Sequence, residues 1–150
     1  MKKATFILLF MMGILSLINA ESSALMNKQF RDSIFQTAKS EPNDTLRLQI
    51  LREAFQQYIG QDAALEFLDS ALALSKQKEM HEEELGALFD YCRHYEYRGD
   101  LSNMEQYFRI LKESSYQYKD YSFYYTIWLA ILQIRCAQGD TEYATMQAKE

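Results

Sequence analysis

Leu48, Leu51 and Phe55 stand three and then four residues apart, and Ala64, Leu68 and Ala71 repeat such intervals in the next segment. Steps of three and four return to one face of an α-helix, whereas a half-buried strand alternates at every second residue. Followed along the chain, the pattern predicts helices at roughly 44–58, 62–77, 81–97, 101–117, 120–137 and 141–150. An earlier helix at about 23–39 carries Leu25, Phe30, Ile34, Phe35 and Ala38 on its apolar side, and Pro42-Asn43-Asp44 separates it from the next helix.

The helical segments repeat. Gly99 and Gly139 are separated by forty positions, in Tyr97-Arg98-Gly99-Asp100 and Ala137-Gln138-Gly139-Asp140, and Gly60 precedes Gly99 by thirty-nine. Columns at the same period hold Leu48, Leu88 and Trp128; Leu51, Tyr91 and Ile131; and Phe55, Tyr95 and Arg135. After the glycines come Ala64, Met104 and Ala144, then Leu68, Phe108 and Ala148, then Ala71 and Leu111. Each unit therefore reads as helix, glycine turn, helix. The glycine suits a left-handed C-cap, and Asp100 or Ser102 can cap the next helix, Ser102 with Glu105 as a capping box. On this alignment Trp128 belongs to a core column and is expected to be largely buried. Chance periodicity in a generic helical bundle is the competing reading.

The arrangement resembles the tetratricopeptide repeat in a longer, forty-residue form, over about residues 44–150. Leu48, Leu51, Phe55, Ala64, Leu68 and Ala71 carry the likeness in the first unit. Tyr91, Tyr95, Gly99-Asp100 and Phe108 carry it in the second, and Trp128, Ile131, Gly139-Asp140 and Ala144 in the third. The chain departs from that family at Arg52, Cys92 and Leu132, where a small residue is usual, at Met104 in place of alanine, and in having no proline to close any unit. The resemblance implies an all-α fold, a right-handed stack of antiparallel helix-turn-helix repeats with an extra N-terminal helix. It also implies a concave groove lined by the first helix of each unit. The groove columns fall on Gln49, Glu53 and Gln57, then Phe89, Arg93, Glu96 and Tyr97, then Leu129 and Gln133. The clamp some co-chaperone members use for a peptide carboxylate is not matched, because its columns hold Leu46, Gln49, Ile50 and Glu53, then Gly86, Phe89, Asp90 and Arg93.

The first twenty residues differ from the rest. Met1-Lys2-Lys3 is a cationic start, Ala4 to Ile18 is almost wholly apolar, and Asn19-Ala20 precedes Glu21-Ser22-Ser23. That order is a secretory signal peptide, with cleavage expected after Ala20. The apolar run falls short of the about 20 residues that span a bilayer, although an uncleaved anchor is the competing reading. The chain then divides into a signal at 1–20, a helix and linker at 21–43, and a repeat domain at 44–150 whose last unit is incomplete. Residue 150 falls about ten residues into a helix that lacks the polar end unit a solenoid needs, so the expectation is the front part of a longer protein or a truncated product.

Composition narrows the function. One proline and five glycines in 150 residues supply too few turns for a sandwich or barrel. The formal charge is −5, and setting aside Lys2 and Lys3 takes the remainder to −7, a poor match for phosphate backbones. Nucleic acid is therefore not an expected partner, and membrane contact is expected only through the N-terminal segment or a downstream span. Cys92 and Cys136 lie three residues out of step with the repeat, about 4.5 Å along a helix, so two buried thiols are expected over a disulfide. His81, Cys92 and His94 do not share a helix face, and neither a metal nor any other cofactor is expected. The Glu82-Glu83-Glu84 run reads as a solvated face beside a helix N-terminus. Arg98-Gly99-Asp100 spells an adhesion tripeptide, but Gln138-Gly139-Asp140 fills the same slot, and a capped turn explains both. No nucleophile elbow, phosphate loop or zinc-protease motif is present, so the chain is not expected to be an enzyme. Seven aromatics crowd Tyr116 to Trp128, which is more than one helix face can bury; packing against a neighbouring unit and a binding surface both fit them.

The expected function is therefore binding of a protein or peptide. A secretion signal followed by such repeats looks like the periplasmic or envelope-exposed sensory region of a membrane-associated signalling or transcriptional regulator of Gram-negative bacteria. A free envelope assembly adaptor and the accessory region of an enzyme are the alternatives. Within the groove, Arg93 flanked by Phe89 and Tyr97 is the expected contact for an acidic group on the partner.

Overall fold

The structure, a computed structural model, describes residues 28–147. The signal segment, its cut after Ala20, Leu25 and Ala148 lie outside the described residues. Contacts divide the chain into residues 1–41 and 42–150. In the first unit residues 28–40 are helical (α1). Ile34, Phe35 and Ala38 are its less exposed apolar positions, while Phe30, expected beside them, is 50% exposed.

The second unit contains α2 (Asp44–Tyr58), α3 (Asp62–Gln77), α4 (His81–Arg98), α5 (Leu101–Tyr118), α6 (Tyr124–Ala137) and α7 (Thr141–Gln147). Each helix packs on the next, and α4 also reaches α6. Neighbours run in opposite directions: Arg98 at the end of α4 pairs with Asp62 at the start of α3, and Tyr118 at the end of α5 meets Glu84 at the start of α4. Likewise Arg135 late in α6 meets Glu105 early in α5. Alternate helices run the same way: Arg52 midway along α2 meets Glu83 and Asp90 of α4, and Gly60 just past the end of α2 meets His94 near the end of α4.

Local chemistry sets the boundaries. Asn43, Asp100 and Asp140 each accept a backbone N–H three residues on, at 3.1 Å, which satisfies donors that a helix start leaves orphaned. Asp100 is thus the cap of α5, and Ser102 lies inside the helix rather than at its N-cap. Gly60, Gly99 and Gly139 hold φ of 82°, 68° and 84°, the left-handed geometry that ends a helix at least cost without a Cβ. The period also appears where no glycine marks it. Glu79 and Lys119, separated by the same forty positions, have φ of 54° and 57°. One residue further on, the Met80 and Asp120 amides donate back to the Ser75 and Ser115 carbonyls, at 2.9 and 3.0 Å.

The core follows most of the predicted columns; Tyr95 and Arg135 of the third column are only half-buried. Leu48, Leu51, Phe55, Ala64, Leu68, Ala71, Leu88, Tyr91, Met104, Phe108, Leu111 and Ile131 are all buried. Trp128, expected in this set, is only half-buried; Ile127 is fully buried in its place, between Tyr124 and Ile131. Ile127 and Trp128 are adjacent and both apolar, so counting by forty selects a neighbour of the residue that faces inward. The start of α6 at Tyr124, four residues later than expected, has a visible cause. Lys119 caps α5 in left-handed geometry, and the Asp120 carboxylate accepts the Ser122 N–H at 2.9 Å, which holds those residues in a turn.

The cysteines are corrected in part. Both are free, Cys92 buried and Cys136 exposed, so one buried thiol stands where two were expected. Burial pushes the Cys92 thiol far above its ordinary pKa.

Candidate functional site

Two of the three groove residues expected on α2, Gln49 and Glu53, line an open depression; Gln57 does not. Thr45, Gln49, Arg52, Glu53 and Gln56 form one side and Glu83 of α4 the other, around about 310 Å³. Arg52 organises it. Its Nε donates to Asp90 Oδ2 at 2.8 Å and its Nη1 to Glu83 Oε2 at 3.3 Å. Asp90 is almost completely buried, with 4% of its side chain exposed. Burial lowers the Arg52 pKa, but Asp90 and then Glu83 outweigh it and hold the guanidinium above its ordinary value. Burial acts in the opposite direction on Asp90 and keeps its carboxyl above the ordinary range, against the pull of Arg52 and Arg93.

Gly86 makes this crossing possible. A Cβ there would stand 2.9 Å from Arg52 Nη1 and 3.1 Å from Cζ, so the guanidinium lies flat on the bare helix between Glu83 and Asp90. The departure from a small residue at position 52 is thus matched by a glycine on the facing helix. The sequence offers the pieces, Glu83, Gly86 and Asp90 at intervals of three and four, but not their partner two helices earlier.

The other groove candidates sit differently. Gln49 Nε2 donates to Glu53 at 2.7 Å, and both are exposed, as is Gln57. Arg93 is exposed and paired with Glu96 at 3.1 Å. Tyr97 is 72% exposed, its ring against the Gly60 backbone, where a Cβ would overlap it. Phe89 is half-buried against Phe123, with ring centroids 5.1 Å apart, so it serves packing of α4 against the turn that leads into α6. Leu129 and Gln133 are exposed on α6.

A second depression, about 520 Å³, is lined by Lys76, Glu79, His81, Glu84 and Tyr118. Here the solvated-face reading of the acidic run fails at two positions. Glu84 is 6% exposed and accepts the Tyr118 hydroxyl at 2.9 Å, with Lys76 Nζ 4.0 Å away, while Glu83 is tied to Arg52. The His81 ring stacks on Tyr118 at 4.0 Å. Burial, then the Glu84 carboxylate, push the Tyr118 hydroxyl above its ordinary pKa.

His94 is wholly buried. Its Nδ1 accepts the Gly60 N–H at 3.3 Å, which assigns the remaining ring proton to Nε2, and Nε2 meets no hydrogen-bonding group among the described residues. Burial, then the Arg98 charge, lower its pKa, with Asp62 acting the other way. The three residues of the adhesion tripeptide all have structural partners: Arg98 pairs with Asp62, Gly99 caps α4, and Asp100 caps α5.

The aromatic stretch divides. Tyr124 is buried against Phe108, with centroids 5.3 Å apart, whereas Tyr116 and Tyr125 are 55% and 57% exposed. Among the described residues no group of three His, Cys, Asp or Glu side chains suits a metal ion, and no helix is long and apolar enough to cross a membrane. Compared with known protein families, with curated proteins and with solved structures, the chain matches none.

Proposed function

We propose that this chain is a non-enzymatic helical scaffold that holds a protein or peptide segment along α2 and the neighbouring face of α4. The observation that carries the reading is the open depression whose wall includes Gln49 and Glu53, two residues placed in a groove by the tetratricopeptide resemblance. That repeat type, in its right-handed form, is the reading of the alternating helix directions and of the turns that recur at the forty-residue period. The ion pairing supports binding over chemistry, since Arg52 and Asp90 neutralise one another and Arg93 is held by Glu96. Glu53 and Glu83 leave the depression acidic, so it suits a segment presenting basic or amide groups. Export to the periplasm or envelope, as the sensory region of a larger membrane-associated regulator, completes the reading and rests on the N-terminal segment and the resemblance.

The test is a peptide array of basic, neutral and acidic extended segments, followed by calorimetric titration of the best binder against the purified chain. Glu53→Lys is expected to weaken binding at least about tenfold, or about 1.4 kcal/mol, with the thermal midpoint moved by no more than a few degrees. Arg93→Glu, likewise fold-neutral because its exposed pair is worth about 0–1 kcal/mol, reports whether the site extends along α4. Binding that survives both reversals overturns the reading. The exposed Tyr116, Tyr125 and Leu129 then become the favoured surface.

A further inference from the structure

Three successive contacts fasten the turn between α2 and α3 to the last turns of α4. His94 Nδ1 accepts from the Gly60 amide, the Tyr97 ring lies against Gly60, and Arg98 pairs with Asp62. Gly60 itself is in left-handed geometry, at φ 82°, so its amide direction is set by the turn. Two of the three contacts do not depend on pH near neutrality: the Tyr97 contact carries no charge, and an arginine stays protonated. The histidine contact does depend on it, because a neutral imidazole accepts through Nδ1 and an imidazolium cannot.

We propose that His94 is a proton-operated latch: neutral, it holds the α2–α3 turn onto α4; protonated, it releases that turn. Protonation puts an N–H where the Gly60 N–H already points, so two donors face each other and the bond is lost. The ring has no relief inside its pocket. Phe55 of α2 stands 6.3 Å away and Tyr95 of α4 5.1 Å away, centroid to centroid, and both are aromatic. Of the charged neighbours, Arg98 on α4 repels a second cation, and Asp62 at the start of α3 attracts one but is already engaged by Arg98. A protonated ring is therefore driven out of the pocket, and the turn loses its central tie. The lowered pKa of His94 agrees in direction with this pocket. Both α2 and α4 wall the candidate depression, so release would alter it, but the latch does not depend on what binds there.

The test is amide hydrogen exchange of the full chain, read at Gly60 and normalised to the intrinsic rate. As pH falls from about 7.5 through the titration of the His94 ring, Gly60 protection is expected to fall at least about tenfold, while Leu68 and Leu111 keep theirs. The midpoint should coincide with the titration of the His94 ring nitrogens followed by nitrogen-15 NMR. His94→Asn offers an acceptor that does not titrate and should abolish the dependence on pH. Gly60 protection that stays flat while the His94 ring titrates overturns the latch. So does a fall that His94→Asn retains, or a midpoint apart from that of the His94 ring; the last comparison stands even if the variant does not fold.

Discussion

Gly86 and Arg52 are best understood together. In an isolated helix a glycine costs about 1 kcal/mol against alanine, so Gly86→Ala should stabilise α4. Here the new methyl meets a guanidinium held on both sides, by Glu83 and by Asp90. Moving it uncovers a buried carboxylate, and breaking such a pair costs about 3–5 kcal/mol in full. The expectation is a double-mutant cycle that changes sign. Gly86→Ala destabilises the native chain by about 1–2 kcal/mol, yet stabilises by about 0.5–1 kcal/mol once Arg52→Ala and Asp90→Ala have removed the pair. Urea denaturation measures all four corners. Equal effects in both backgrounds would show that the guanidinium does not need the glycine. None of this pairing is legible in the sequence, because a side-chain contact between helices so far apart in the chain leaves no local signal. Glu84 escapes a sequence reading for the same reason: it lies in an acidic run, and only the Tyr118 hydroxyl at the far end of α5 shows that it is buried.

At the scale of the element, the helices are largely legible, because their ends are written locally. The starts and ends of α2 and α3 coincide with those expected from spacing, Pro42 and Gly60. What spacing does not settle is rotation about the axis. On α6, Tyr124, Ile127 and Ile131 turn inward and Trp128 lies at the margin. Ile127→Ala should therefore cost about 2–4 kcal/mol, the range for a closed aliphatic site, and Trp128→Ala less, about 1–2 kcal/mol. Thermal or urea unfolding of the two variants decides it; the reverse order would restore the column of Leu48, Leu88 and Trp128. The non-glycine turns at Glu79 and Lys119 are likewise invisible, since neither residue type announces a positive φ.

For the whole molecule, the acid side of the stability profile should have two opposing limbs. His94 has a folded pKa below its unfolded value near 6.5, so its contribution is present above that pH and is lost as pH falls through the folded value. Asp90 has a folded pKa above its unfolded value near 3.8, so its contribution is present below 3.8 and is lost as pH rises through the folded value. On acidification the thermal midpoint should first decline through the histidine window. The decline should then slow where Asp90 takes up its proton. His94→Asn should flatten the first limb and Asp90→Asn remove the second. A native profile without a histidine limb would contradict the first assignment. As for the candidate site, Gln49 and Glu53 are legible as exposed stripe positions, but Phe89 is not legible as packing, because its neighbour Phe123 lies beyond the whole of the next helix.

The succession of helices, each resting on the one before and the one after, has a mechanical consequence. A load applied at Asp44 and Gln147 would pass largely from each helix to its neighbour, with α4, α5 and α6 sharing one core along the way. Pulled in an optical trap, such a chain lengthens in a staircase of small yields rather than one rupture, and on slackening its helices re-form against whichever neighbour still stands.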